Sequence, residues 1–218
     1  MKKMKIIEYL LLGALTILLN ACASQDHQNT QAETNGISNP TIKEIPLTPR
    51  GDTFYLYRTI QHNNKLLNYT FMNSSDSTLI RIWYNRSFYA TEKVLTFKMS
   101  KKNSWSGEIC VYGIKPNDTL ANETLLGKEI NRIEPKDGWD YFINKLLALN
   151  IKKLPDMLSL GIRPGPDGDS FAFEVQENDH YRFYSYSEPA YYQKDYPQAK
   201  SVVEILNLIQ QQFDIKAN

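Results

Sequence analysis

Histidine and cysteine are scarce, at three and two residues in 218. His27, His62 and His180 are scattered through the chain, so the paired spacing of a zinc site is missing. Two cysteines are too few for a disulfide scaffold. The apolar run from Tyr9 to Leu19 has 11 residues, short of the roughly 20 that cross a bilayer. An excess of either charge is also lacking: 25 Lys+Arg stand against 24 Asp+Glu, which argues against a nucleic-acid or anionic-lipid binder. No glycine-rich phosphate loop occurs, and the serines of "NSSDS" lack the glycines of a nucleophile elbow. A diagnostic catalytic motif is therefore missing, and so is any sign of a cofactor or a metal.

What is present begins at the N-terminus. Lys2, Lys3 and Lys5 precede the apolar run, and the small residue Ala21 precedes Cys22. Leu19-Asn20-Ala21-Cys22 resembles the lipobox of bacterial lipoproteins, although Asn20 is not the commonest residue at its position. The resemblance implies that residues 1–21 are a signal peptide and that Cys22 is diacylated. Its thiolate is the nucleophile such a modification needs. Two acyl chains then hold the protein on a membrane of the bacterial cell envelope, the outer one favoured where there are two. Three lysines and one glutamate leave with residues 1–21, taking the formal charge from +1 to −1. Residues 22–50 are rich in Gln, Asn, Thr and Ser, with Pro40, Pro46 and Pro49, and read as a flexible tether.

Residues 51–218 are long enough for a single globular α+β domain. "TFYLYRTI", "LLNYTFMN", "TLIRIWYN", "VLTFKM" and "GEICVYG" are rich in aromatic and β-branched residues. They predict an antiparallel β-meander of about five strands between residues 54 and 112. His62-Asn63-Asn64-Lys65 suits a hairpin loop that sets Leu56 opposite Phe71 and Ile60 opposite Leu67. Cys110, between Ile109 and Val111, reads as a buried strand residue.

Two helices follow, with a β-hairpin between them. In "DGWDYFINKLLALN", Trp139, Phe142, Ile143, Leu146 and Leu147 share a helical face, with Asp137 as N-cap. In "DYPQAKSVVEILNLIQQQF", Val202, Ile205, Leu206, Ile209 and Phe213 form the stripe, with Asp195 as cap and Gln198 completing the box. Both helices are expected to pack on the sheet. For the hairpin, a three-residue loop Glu177-Asn178-Asp179 sets Phe173 opposite Phe183 and Glu174 opposite Arg182.

That register places Glu174, His180, Arg182, Tyr184 and Tyr186 on one outward face, with Tyr191 and Tyr192 in the loop beyond. Tyrosines beside an Arg–carboxylate pair are common in binding patches, and a solvated cross-strand ion pair has the same residues. Asp167-Gly168-Asp169 lacks the alternating oxygen ligands of a calcium loop and reads as turn chemistry. "GWDYFINKLLALNIKKLPD", "DGDSFAFEV" and "YRFYSYSEP", within residues 135–215, resemble uncharacterised bacterial lipoproteins of unknown function. That resemblance carries no residue roles. A non-catalytic binding or interaction module is the expected function, with an envelope protein or a glycan as partner. The alternative is a hydrolase of an envelope polymer using paired carboxylates such as Asp169 and Glu174.

Overall fold

Leu79, Arg81 and Trp83 alternate with Ile80, Ile82 and Tyr84, and all six are buried. A strand with no exposed face has to be covered on both sides. The computed structural model describes residues 40, 42–48, 50–51, 54–69, 76–86, 91–163 and 168–216, with the backbone alone at 76, 77 and 86. Residues 1–39, with the expected signal segment, Cys22 and His27, lie outside the described residues, as do Phe71 and Asp167.

The chain builds a seven-stranded sheet in the order β1-β7-β6-β2-β3-β4-β5. The strands are β1 (Ile42–Glu44), β2 (Asp76–Arg86), β3 (Thr91–Ser100), β4 (Trp105–Lys115), β5 (Thr124–Ile133), β6 (Asp169–Glu177) and β7 (His180–Ser187). Every pairing is antiparallel except β1 with β7. Helices α1 (Tyr55–Leu66), α2 (Trp139–Ala148), α3 (Pro189–Tyr192) and α4 (Pro197–Phe213) complete it. The α+β class stands, with more sheet than a five-strand meander.

One sheet face carries Ile82, Phe97 and Phe173 under Phe142 and Leu146 of α2 and Val202 and Ile209 of α4. The opposite face carries Trp83, Cys110, Tyr112 and Phe183 under Leu56 and Ile60 of α1. Cys110 is a buried strand residue, as its neighbours predict.

Four local expectations need correction. Residues 55–66 are helical: Leu56, Ile60, Asn63 and Asn64 recur at helical spacing and turn toward the sheet, and this burial outweighs the β-propensity of the aromatics. No hairpin turns at His62–Lys65. The helix stops at Asn68, whose φ of 58° accompanies bonds from Asn68 N–H to Lys65 O and from Tyr69 N–H to Asn64 O, a Schellman ending.

The caps differ as well. Gly138, at φ 83°, precedes α2, while Asp137 exchanges hydrogen bonds with the Gln212 side chain and ties α2 to the end of α4. Pro197 takes the first position of α4, so Tyr196 is its N-cap and Asp195 lies outside.

The hairpin loop is two residues, Asn178-Asp179, with Glu177 opposite His180. Val175 therefore faces Arg182, Phe173 faces Tyr184 and Glu174 faces Phe183. Glu174 and Arg182 lie on opposite sides of the sheet.

Residues 42–44, expected to belong to a flexible tether reaching residue 50, form the strand β1 instead. There the Glu44 carboxylate bridges His180 Nε2 at 3.0 Å and Arg182 Nε at 2.9 Å. Beyond β1, the open edge of β7 is closed by side chains: Asp156 Oδ2 accepts from Ser185 N–H at 2.8 Å and Met157 Sδ from Ser187 N–H.

Candidate functional site

The residues predicted to share one face are divided between two buried layers and one surface. Glu174, 2% exposed, is sealed between α1 and the sheet. Its Oε2 accepts from Trp83 Nε1 at 2.7 Å, and its Oε1 accepts from Tyr181 Oη (2.8 Å), Asn64 Nδ2 (2.9 Å) and Gln61 Nε2 (3.3 Å). Arg81, also buried, brings its NH1 to 3.8 Å from Oε2 and donates to Asn64 Oδ1. Burial, then the Glu174 charge, holds the Tyr181 phenol well above its usual range. A carboxylate with four donors and a guanidinium beside it fastens α1 to the sheet. It is inaccessible to a ligand.

Nearby on the same face, Tyr112 donates to Glu92 Oε2 at 2.6 Å, with Asn63 Nδ2 within 3.3 Å. Burial pushes the Glu92 carboxyl up, and the Tyr112 bond offsets part of that.

Arg182 and Tyr184 belong to the other face. Arg182 donates to Lys152 O at 2.9 Å and lies over the Tyr184 ring. The hydroxyls of Tyr184 and Tyr186 donate to Ile151 O (2.6 Å) and Pro155 O (2.7 Å), pegging the segment after α2 against β7. His180 is engaged with Glu44 at the sheet edge. Tyr192, half-buried, donates to Arg163 O. Tyr191 alone of the seven stands in solvent, at 76% exposed.

Tyr191 borders a cavity of about 440 Å³. Phe171, Pro189, Val203 and Leu206 form apolar wall, and Asp169, Glu188 and Asn207 are the charged and amide groups. The chain builds it where β7 runs out. Glu188 N–H donates to Asp169 O and Tyr191 N–H to Glu188 O, both at 2.9 Å, so the turn is pinned on each side of Glu188. Glu188 itself sits at φ 49°, ψ 49°, left-handed backbone directly before a proline, a position that costs about 1–3 kcal/mol. Its carboxylate does not cap α3. Gly168 makes room for it: a Cβ there would come within 2.4 Å of Glu188 Cγ.

The carboxylates proposed as a hydrolytic pair do not converge. Asp169 and Glu174 are five residues apart on β6, on opposite faces and roughly 16 Å along the strand. The two that share a cavity are Asp169 and Glu188. Sequence reasoning found Tyr191 and missed Glu188 and Asn207, whose signals are a Glu-Pro step and one amide on the polar side of α4. Among the described residues, no group of three or more His, Cys, Asp or Glu is placed to hold a metal. Comparison with protein-family models, curated proteins and solved structures returns no match to this chain.

Proposed function

We propose that this chain is a lipid-anchored protein of the bacterial cell envelope, attached through Cys22, whose domain is a non-catalytic binding module. The anchor rests on the lipobox-like Leu19-Asn20-Ala21-Cys22 behind an 11-residue apolar run. Among the described residues no helix is long and apolar enough to cross a membrane. The observation that carries the binding reading is the cavity at Tyr191. It combines a small-molecule volume, an apolar wall and a few polar groups, the usual make-up of a ligand site. The buried Glu174 and Asp156, by contrast, are occupied in holding the fold.

Two measurements test it. Cys22→Ser should lose radiolabelled palmitate, and equal incorporation in variant and wild type would remove the anchor from the proposal. The full chain, immobilised, should retain an envelope component that Tyr191→Ala releases. Equal retention by the two would take the binding role away from this cavity.

A further inference from the structure

Resting on the binding reading above, we propose that the Tyr191 cavity takes an organic ammonium group on an apolar stem, with Glu188 as its counter-ion. The cavity's described lining holds two carboxylates and no lysine, arginine or histidine. Asp169 has a partner of its own, so Glu188 sets the charge that a ligand meets: an anion would be repelled by it, whereas a cation gains on entry. The one lysine of α4, Lys200, is turned to Glu204 at 3.8 Å.

Glu188 is the group fitted for the role. It is half-buried, so its charge is screened less than that of a fully solvated carboxylate. Main-chain bonds hold its residue from both sides, and Gly168 leaves the space in which its side chain lies. The turn keeps it in left-handed backbone although its carboxylate caps nothing. Tyr191 adds an exposed aromatic ring at the rim, of the kind that attracts an ammonium group to its face. Asn207 offers an amide oxygen for a remaining N–H.

The rest of the cavity specifies the stem. Phe171, Val203 and Leu206 give an apolar floor, and about 440 Å³ is too large for a bare ion and suited to a small organic molecule. The head group is the same whether the amine arrives free or as the side chain of a lysine peptide.

Calorimetry on the full chain in zwitterionic lipid nanodiscs, with empty nanodiscs as blank, tests this with three probes of one stem: hexylammonium, hexanol and hexanoate. Hexylammonium should bind at least tenfold more tightly than hexanol, and hexanoate least of all. Glu188→Gln should abolish the preference for the amine while leaving hexanol affinity and the melting temperature unchanged. Gly168→Ala, which crowds Glu188, should reduce the same preference. A lysine pentapeptide run in parallel assigns the source, binding more tightly than hexylammonium if the head group is taken on a peptide and less tightly if taken free. Equal affinity for amine and alcohol, or a preference that survives Glu188→Gln, overturns the ammonium assignment and leaves the binding reading intact. Failure of all three probes to bind also overturns the ammonium assignment, and the binding reading then stands or falls on the Tyr191→Ala retention measurement.

Discussion

The Trp83 indole donates to Glu174 Oε2 across 2.7 Å, the shortest of four hydrogen bonds into a carboxylate sealed between α1 and the sheet. Removing that carboxylate takes a nearby counter-charge from the buried Arg81 and leaves several donors without their acceptor. Glu174→Ala should therefore cost about 3–5 kcal/mol, far more than a solvated cross-strand pair would. Trp83→Phe, which deletes one donor to a charged group, should cost at least about 1.5–3 kcal/mol. Urea denaturation measures both, and a loss below about 1 kcal/mol for Glu174→Ala would contradict the burial of this network.

On the opposite face, Phe173 stacks on Tyr184 with centroids 4.7 Å apart and planes within 6°. Phe173→Ala opens a cavity in a fully buried layer and should cost about 3–5 kcal/mol. Melting temperature and denaturant midpoint should fall together.

Gly107 sits where β4 passes beneath α2. A Cβ there would lie 2.6 Å from Trp139 Cη2 and 3.0 Å from Ile133 Cγ1. Gly107→Ala should cost about 1–3 kcal/mol through overpacking. The Trp139 indole, which donates to Glu134 Oε2, should shift with it. Near-ultraviolet circular dichroism reads that displacement directly.

The Glu92 carboxyl is raised above its ordinary value, chiefly by burial, so the folded protein holds this proton more tightly than the unfolded chain does. Between the ordinary carboxylate value and the raised one, the native state binds more protons, and stability falls as pH rises through that window. Glu92→Gln removes this contribution, whereas Asp156, also raised by burial, remains in both proteins. Denaturation at a series of pH values should show the variant gaining on the wild type as pH rises across the window, then running parallel above it. A constant difference at every pH would contradict the assignment.

Much of the sheet was legible in the sequence, because "TLIRIWYN", "VLTFKM" and "GEICVYG" carry strong β-propensity with turns between them. The error at residues 53–60 has a physical cause. The stripe of α1 continues through Asn63 and Asn64, which are buried because Tyr112 and Glu174 accept their amides, so the apolar period breaks off halfway. The hairpin parity failed for a related reason. Register is legible when one face is wet and the other dry. In β6, Glu174 and Gln176 are as buried as Phe173 and Val175, so polarity no longer marks a side. At the cavity, Tyr191 was legible as an aromatic in a surface connection. Glu188 was not, because its position follows from a left-handed residue that only the folded turn requires.

β2 occupies the middle of the finished sheet, yet its two neighbours are made at very different times. β3 follows it almost at once, while β6 ends at Glu177, 91 residues after Arg86. At roughly 5–20 residues per second, synthesis leaves that interval open for about 5–18 s. For that long the strand destined to be most enclosed has one row of amides and carbonyls unpaired. A chain stalled before Asp169 would keep that row open, and with it the liability of pairing with another nascent copy.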